Sequence, residues 1–137
     1  MGFMDLNQSA NRALVYAAGE AIARGYAQTD TEHLLLGLAT AVGTSAYKLL
    51  SDSGIEYRDI ARSVHSTTCR VNGKVPDSEA VEKIVLEGIH NRRGDMFGTL
   101  DLLAGICNRE CEGKRLLTER GFDPARLESA FKELKED

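Results

Sequence analysis

The sequence has no tryptophan and only four tyrosines, four phenylalanines and two prolines in 137 residues. With aromatics this scarce, a core has to be built from leucine, isoleucine, valine and alanine. Cysteine occurs only at Cys69, Cys107 and Cys111, and the odd count and uneven spacing exclude a secreted disulfide framework. No apolar run approaches the ~18 residues of a membrane helix. The N-terminus lacks the basic segment and apolar run of a signal peptide. It has Leu6 where N-myristoylation of Gly2 wants Ser or Thr. A cytoplasmic protein without a membrane partner is expected. Basic charge is also short: the net charge is −4, which argues against a nucleic-acid partner. The only tight basic cluster is Asn91-Arg92-Arg93. No Gly-x-x-x-x-Gly-Lys-Ser/Thr appears, so ATP hydrolysis by a P-loop is excluded, and neither does a His-Glu-x-x-His.

What remains reads as helix almost throughout. Asn7 to Arg24 carries Ala10, Leu14, Ala17, Ala21 and Ile22 on one stripe, and Gly25 stops it. Asp30 or Thr31 caps a helix with Leu34, Leu35, Leu38 and Val42 inward. Ser45 to Ser53 is a third helix, ended by Gly54, and Glu56 to His65 a fourth. The polar segment 66–76, with an Asn-Gly turn signal and Pro76, reads as a connector. Beyond it Ser78 caps a helix to about Asn91, and Thr99 caps one with Leu102, Leu103 and Ile106. Cys111 to Arg120 is a seventh helix, and Asp123-Pro124 starts an eighth.

The second half repeats the first. Thr31, Leu34, Leu35 and Gly37 recur as Thr99, Leu102, Leu103 and Gly105, 68 residues on. Leu49, Leu50, Gly54 and Ile55 recur as Leu116, Leu117, Gly121 and Phe122, 67 residues on. Leucines alone match cheaply, but helix-stopping glycines in register do not. The expected architecture is all-α. It comprises one domain over residues 1–137, with repeat 1 at 3–65, the connector at 66–76 and repeat 2 at 77–135. Its eight helices form two four-helix repeats about a pseudo-twofold axis.

The stretch "TEHLLLGL", Thr31 to Leu38, followed by "LL…SGI" at Leu49 to Ile55, resembles the amino-terminal repeat domain of Clp-type AAA+ unfoldases. The likeness is nearest to the ClpC type and spans roughly residues 3 to 135. The resemblance implies a non-catalytic module of the Clp protease system. Such a module binds adaptor proteins and tagged substrates, phosphorylated arginine among the tags. The family's recognition glutamate falls on Glu32, and its phosphate-holding threonine on Asn7. In the second repeat the matching positions are Leu100 and Val75, so only the first pocket keeps its charge. Asp30 stands where the family usually has glycine.

The chemistry of the first pocket stands on its own terms. A carboxylate takes a guanidinium through two parallel hydrogen bonds, and a helix N-terminus offers N–H groups to a phosphate. The ligand-binding residues that the resemblance implies are Asn7, Glu32 and His33, and no cofactor or metal is expected. Glu32 is also readable as a helix-start carboxylate answering the macrodipole, and His33 as a structural histidine. A small enzyme using Glu32 and His33 as acid and base is the weakest alternative, because neighbours on a helix point about 100° apart. The other alternative is a docking domain belonging to a full-length unfoldase. Cys107 and Cys111 stand four residues apart, a spacing at which one helix face could present both with His90 as a third ligand, but zinc needs four ligands and no second pair is spaced to help.

Overall fold

Alanines at 10, 13, 17 and 21 fall three or four residues apart, on one face of a helix. All four are fully buried in α1 (Gln8–Ala23). The computed structural model describes residues 6–67, 69, 71, 73–91 and 96–134. Seven further helices follow: α2 (Thr31–Thr40), α3 (Ser45–Asp52), α4 (Tyr57–Ala61), α5 (Glu79–Asn91), α6 (Thr99–Cys107), α7 (Glu112–Glu119) and α8 (Ala125–Glu133). Among the described residues there is no strand. Two single bridging pairs of extended backbone occur, Leu6 with Phe97 and Thr29 with Asp77. Gly2, Asn72 and the Arg92-Arg93 pair lie outside the described residues.

Local chemistry accounts for the helix ends. Asn7, Asp30 and Thr44 cap α1, α2 and α3 through side-chain oxygens. Gly54 and Gly121 end α3 and α7 at φ 78° and 75°, a region that glycine enters without penalty. There the Ile55 N–H returns to the Leu50 carbonyl at 2.9 Å, and the Phe122 N–H to the Leu117 carbonyl at 3.0 Å.

The two repeats, α1–α4 and α5–α8, are joined by contacts that exchange when the repeats are exchanged. The Thr31 hydroxyl accepts the Gly113 N–H of α7 at 2.9 Å. The Thr99 hydroxyl accepts the Ala46 N–H of α3 at 3.1 Å. Likewise the Asn7 N–H donates to the Phe97 carbonyl at 3.0 Å, and the Ser78 N–H to the Thr29 carbonyl at 2.7 Å. The expected pseudo-twofold arrangement is therefore present. The core runs through its centre, where Leu34, Leu35, Leu36 and Leu38 of α2 meet Leu100, Leu102, Leu103 and Ile106 of α6, all without exposed surface.

Several details differ from the sequence reading. Val42 is 64% exposed, because α2 ends at Thr40 and the stripe does not extend past the end of the helix. The fourth helix is shorter than expected, continuing as turns from Arg62 to Val64. Gly98, not Thr99, is the N-cap of α6, since the Thr99 hydroxyl is committed to the other repeat. The register of the first helices also changes. From cap Asn7 to cap Asp30 is three residues more than from Ser78 to Gly98. The counterpart of Asn7 is therefore Ser78, 71 residues on, and not Val75.

The hairpin of α1 and α2 packs backbone to backbone. A Cβ added at Gly37 would stand 2.4 Å from the Ala13 carbonyl oxygen and 2.9 Å from the Ala17 nitrogen. At the equivalent Gly105 it would meet the Ile84 side chain, whose Cγ2 is 2.5 Å away and able to turn aside. Gly37→Ala is expected to lower stability by about 1–3 kcal/mol, and Gly105→Ala by less. Gly19→Ala, with nothing within 4 Å of the new carbon, is expected to raise stability by about 0.5–1 kcal/mol. Urea-unfolding midpoints of the three variants check the order.

Candidate binding site

Glu32 is the second residue of α2, in the turn whose N–H groups have no partner within the helix. Its Oε1 is buried and has no hydrogen-bond partner. Burial pushes its carboxyl above the ordinary range. Its own backbone N–H opposes this, the Asp30 and Glu112 carboxylates add to it, and Arg115 offsets part. Arg115 is itself held in a fork between Glu112 and Glu119. Glu32 Oε1 is thereby left with accepting capacity unfilled.

His33 faces the core. It is 0% exposed, and its Nδ1 accepts the Asp30 N–H at 2.9 Å, closing a capping box with the Asp30 side chain. That bond places the proton of the neutral ring on Nε2, which is buried without a partner. The Tyr26 ring stands edge-on at 4.6 Å. Burial lowers the imidazole to about 4, with Asp30 pulling it up and Arg24 pushing it down. His33 thus holds the start of α2 from inside the fold. Its counterpart is Asp101, 7% exposed, whose Oδ2 accepts the Gly98 N–H at 2.9 Å. The three-residue spacing from Gly98 to Asp101, matching that from Asp30 to His33, carries that role.

Asn7 and Glu32 are not brought together. Gly37 sits against Ala13 and Ala17 in an antiparallel hairpin, so Asn7 and Glu32 lie at opposite ends, roughly 20 Å apart at 1.5 Å per residue. Asn7 caps α1, its Oδ1 accepting the Ala10 N–H at 2.8 Å, beside the start of α6. The start of α5 is what adjoins α2. Ser78 Oγ accepts the Val81 N–H at 3.2 Å and donates to Asp30 Oδ1 at 3.0 Å. The start of α2 therefore adjoins the start of α5, and the start of α1 adjoins the start of α6. Leu100 is 0% exposed and packs into the core, so that second site has no acid and no opening at that position.

The junction is acidic and incompletely paired. Asp77, beside Thr29, is raised by burial and then by Glu82. Among the described residues the buried side-chain nitrogens and oxygens without partners are Arg24 Nε, Thr29 Oγ1, Glu32 Oε1 and His33 Nε2, all within residues 24–33. Folded chains leave few such groups, and a concentration of them marks where a ligand or water completes the bonding. Several open clefts lie elsewhere, one of about 440 Å³ beside α3 and Leu134 among them. Another of about 320 Å³ runs between α5 and α6, and one of about 390 Å³ lies among α2, α3 and α4. None of these three is lined by Asn7, Glu32 or His33.

No cluster of three metal-ligating groups occurs among the described residues. Cys107 is 8% exposed and burial pushes its thiol up to about 11, which makes it a core group rather than a nucleophile. Among the described residues no single helix is long and apolar enough to cross a membrane.

The sequence profile of the Clp repeat (R) N-terminal domain matches residues 5–83, more than half of the chain. The chain belongs to this family. Its fold is similar to the N-terminal domain of the caseinolytic protease associated chaperone ClpD from Arabidopsis thaliana, at 22% identity and a TM-score of 0.74 over 95% of this chain and 94% of that one. A ClpV N-domain solved in complex with a VipB peptide is similar at 17% identity and a TM-score of 0.74, over 94% and 86%. The Hsp104 N-terminal domain from Candida albicans is similar at 14% identity and 0.73, over 95% and 91%. A search of curated proteins gives no match.

Because the His33 ring has its folded value depressed from 6.5 to about 4, the unfolded chain takes up its proton first on acidification. Its contribution to stability is complete above pH 6.5 and is lost as pH falls towards 4. His33→Gln keeps an acceptor for the Asp30 N–H and removes the titration. Thermal melts from pH 7 to 4 are expected to fall less steeply for this variant than for the wild type.

Proposed function

We propose that the chain is a non-catalytic protein-binding module of the Clp protease system, acting in the cytoplasm. Its partners are unfoldase or protease components, adaptor proteins and tagged substrates, with phosphoarginine among the candidate tags. The "TEHLLLGL" motif supports placing it nearest the ClpC type. The observation that carries the reading is Glu32, a carboxylate with a buried, unpartnered oxygen at the junction of α2 with the other repeat. A guanidinium supplies the missing donors through its planar fork. Ser78 caps α5, its Oγ accepting the Val81 N–H and donating to Asp30 Oδ1 at the start of α2.

A peptide carrying one arginine, and the same peptide phosphorylated on that arginine, test the site by calorimetric titration. One equivalent is expected to bind, and Glu32→Ala is expected to abolish it. Two equivalents, or binding that survives Glu32→Ala, contradict the reading. Occupancy is also expected to fall on acidification, from a pH above the ordinary carboxylate range, because Glu32 must be ionised to grip a cation.

A further inference from the structure

We infer that the Glu32 site selects an unmodified arginine side chain and rejects a phosphorylated one. This rests on the reading of Glu32 given above and sharpens it. The hydroxyl best placed to hold a phosphoryl oxygen is that of Ser78, at the cap of α5. It is already committed, donating to Asp30 Oδ1 at 3.0 Å while accepting the Val81 N–H. Asp30 Oδ1 also accepts the Thr31 N–H at 2.8 Å, so a carboxylate occupies the position where two helix starts converge. An anion arriving there meets Asp30 directly, with the Glu32 and Glu112 carboxylates close enough to act on one another. The nearest cation acting on Glu32, Arg115, is neutralised by its fork to Glu112 and Glu119.

The acceptors that lack partners in residues 29–32 suit a cation. The Thr29 side chain is fully buried and its hydroxyl has no partner, and its backbone pairs with that of Asp77 at the base of the junction. Glu32 Oε1 is likewise buried and unpartnered. Both oxygens accept hydrogen bonds, and a guanidinium has five N–H donors and no acceptor. A phosphoryl group on the guanidinium removes a donor and adds negative charge within a few ångströms of Asp30.

Three versions of one peptide measure this, carrying arginine, phosphoarginine or citrulline, against wild type, Asp30→Gly, Asp30→Asn and Glu32→Ala. Wild type is expected to bind the arginine peptide at least about tenfold tighter than the phosphoarginine peptide, the size of one unscreened like-charge contact. Citrulline, which has the shape without the charge, is expected not to bind. Asp30→Gly removes the carboxylate and frees the Ser78 hydroxyl, so the preference is expected to shrink or reverse. Asp30→Asn retains a good helix cap and is expected to shrink it too, which separates charge from folding. If the phosphoarginine peptide binds wild type as tightly as the arginine peptide and both need Glu32, the selectivity is overturned while the site stands. A preference unchanged by either Asp30 variant also overturns it. If no peptide binds, or Glu32→Ala changes nothing, the site itself is wrong and the selectivity fails with it.

Discussion

The arrangement depends on two hydrogen bonds that cross from one repeat to the other. Thr31 and Thr99 are buried, and each uses its hydroxyl to satisfy a first-turn N–H of the opposite repeat's third helix. Such N–H groups have no partner inside their own helix, and leaving one buried and unmade costs ~1–3 kcal/mol. The fit is close: a Cβ on Gly113 would stand 3.0 Å from the Thr31 carbonyl oxygen. With α2 and α6 tied in this way, their N-termini can face only the first and third helices of the opposite repeat. The position of Glu32 follows from that geometry.

Glu32 and Leu100 show two uses of one position. Leu100 is absorbed into the core and contributes apolar burial. Glu32 gives up that contribution and carries a charge in surroundings that disfavour it. Groups held in this way cluster at functional sites, where the fold tolerates a local cost in exchange for binding. The helix starts beneath them are unequal too. His33 is neutral and apolar-faced, whereas Asp101 brings a carboxylate to the same task. The acid lost from position 100 is thus not restored by its neighbour, because Asp101 is occupied with the Gly98 N–H.

The repeat was legible in the sequence because packing is periodic. Leucines of α2 and α6 and the glycines ending α3 and α7 must recur wherever the same helices meet. Asn7 and Glu32 were individually visible as a helix cap and a helix-start carboxylate. Their separation was not, because a sequence offset says nothing of which helix end meets which. A constant offset of 68 leads from Asn7 to Val75. Helix α1 is three residues longer than its counterpart α5, 16 against 13, so the equivalent cap is Ser78. Crossed pairing is a tertiary fact, and so is the burial of His33, whose side of α2 becomes interior only once Tyr26 folds over it.

The crossed contacts have a consequence for symmetry. Two identical four-helix units could make the same Thr–amide and cap–carbonyl bonds across a twofold dimer interface, and every residue would then be present twice. Joining the units through residues 66–76 removes that identity. One junction can exchange its acid for a leucine while the other keeps it, and neither change is forced on its mate. The tether thus permits two unlike junctions to be made from one symmetric scaffold.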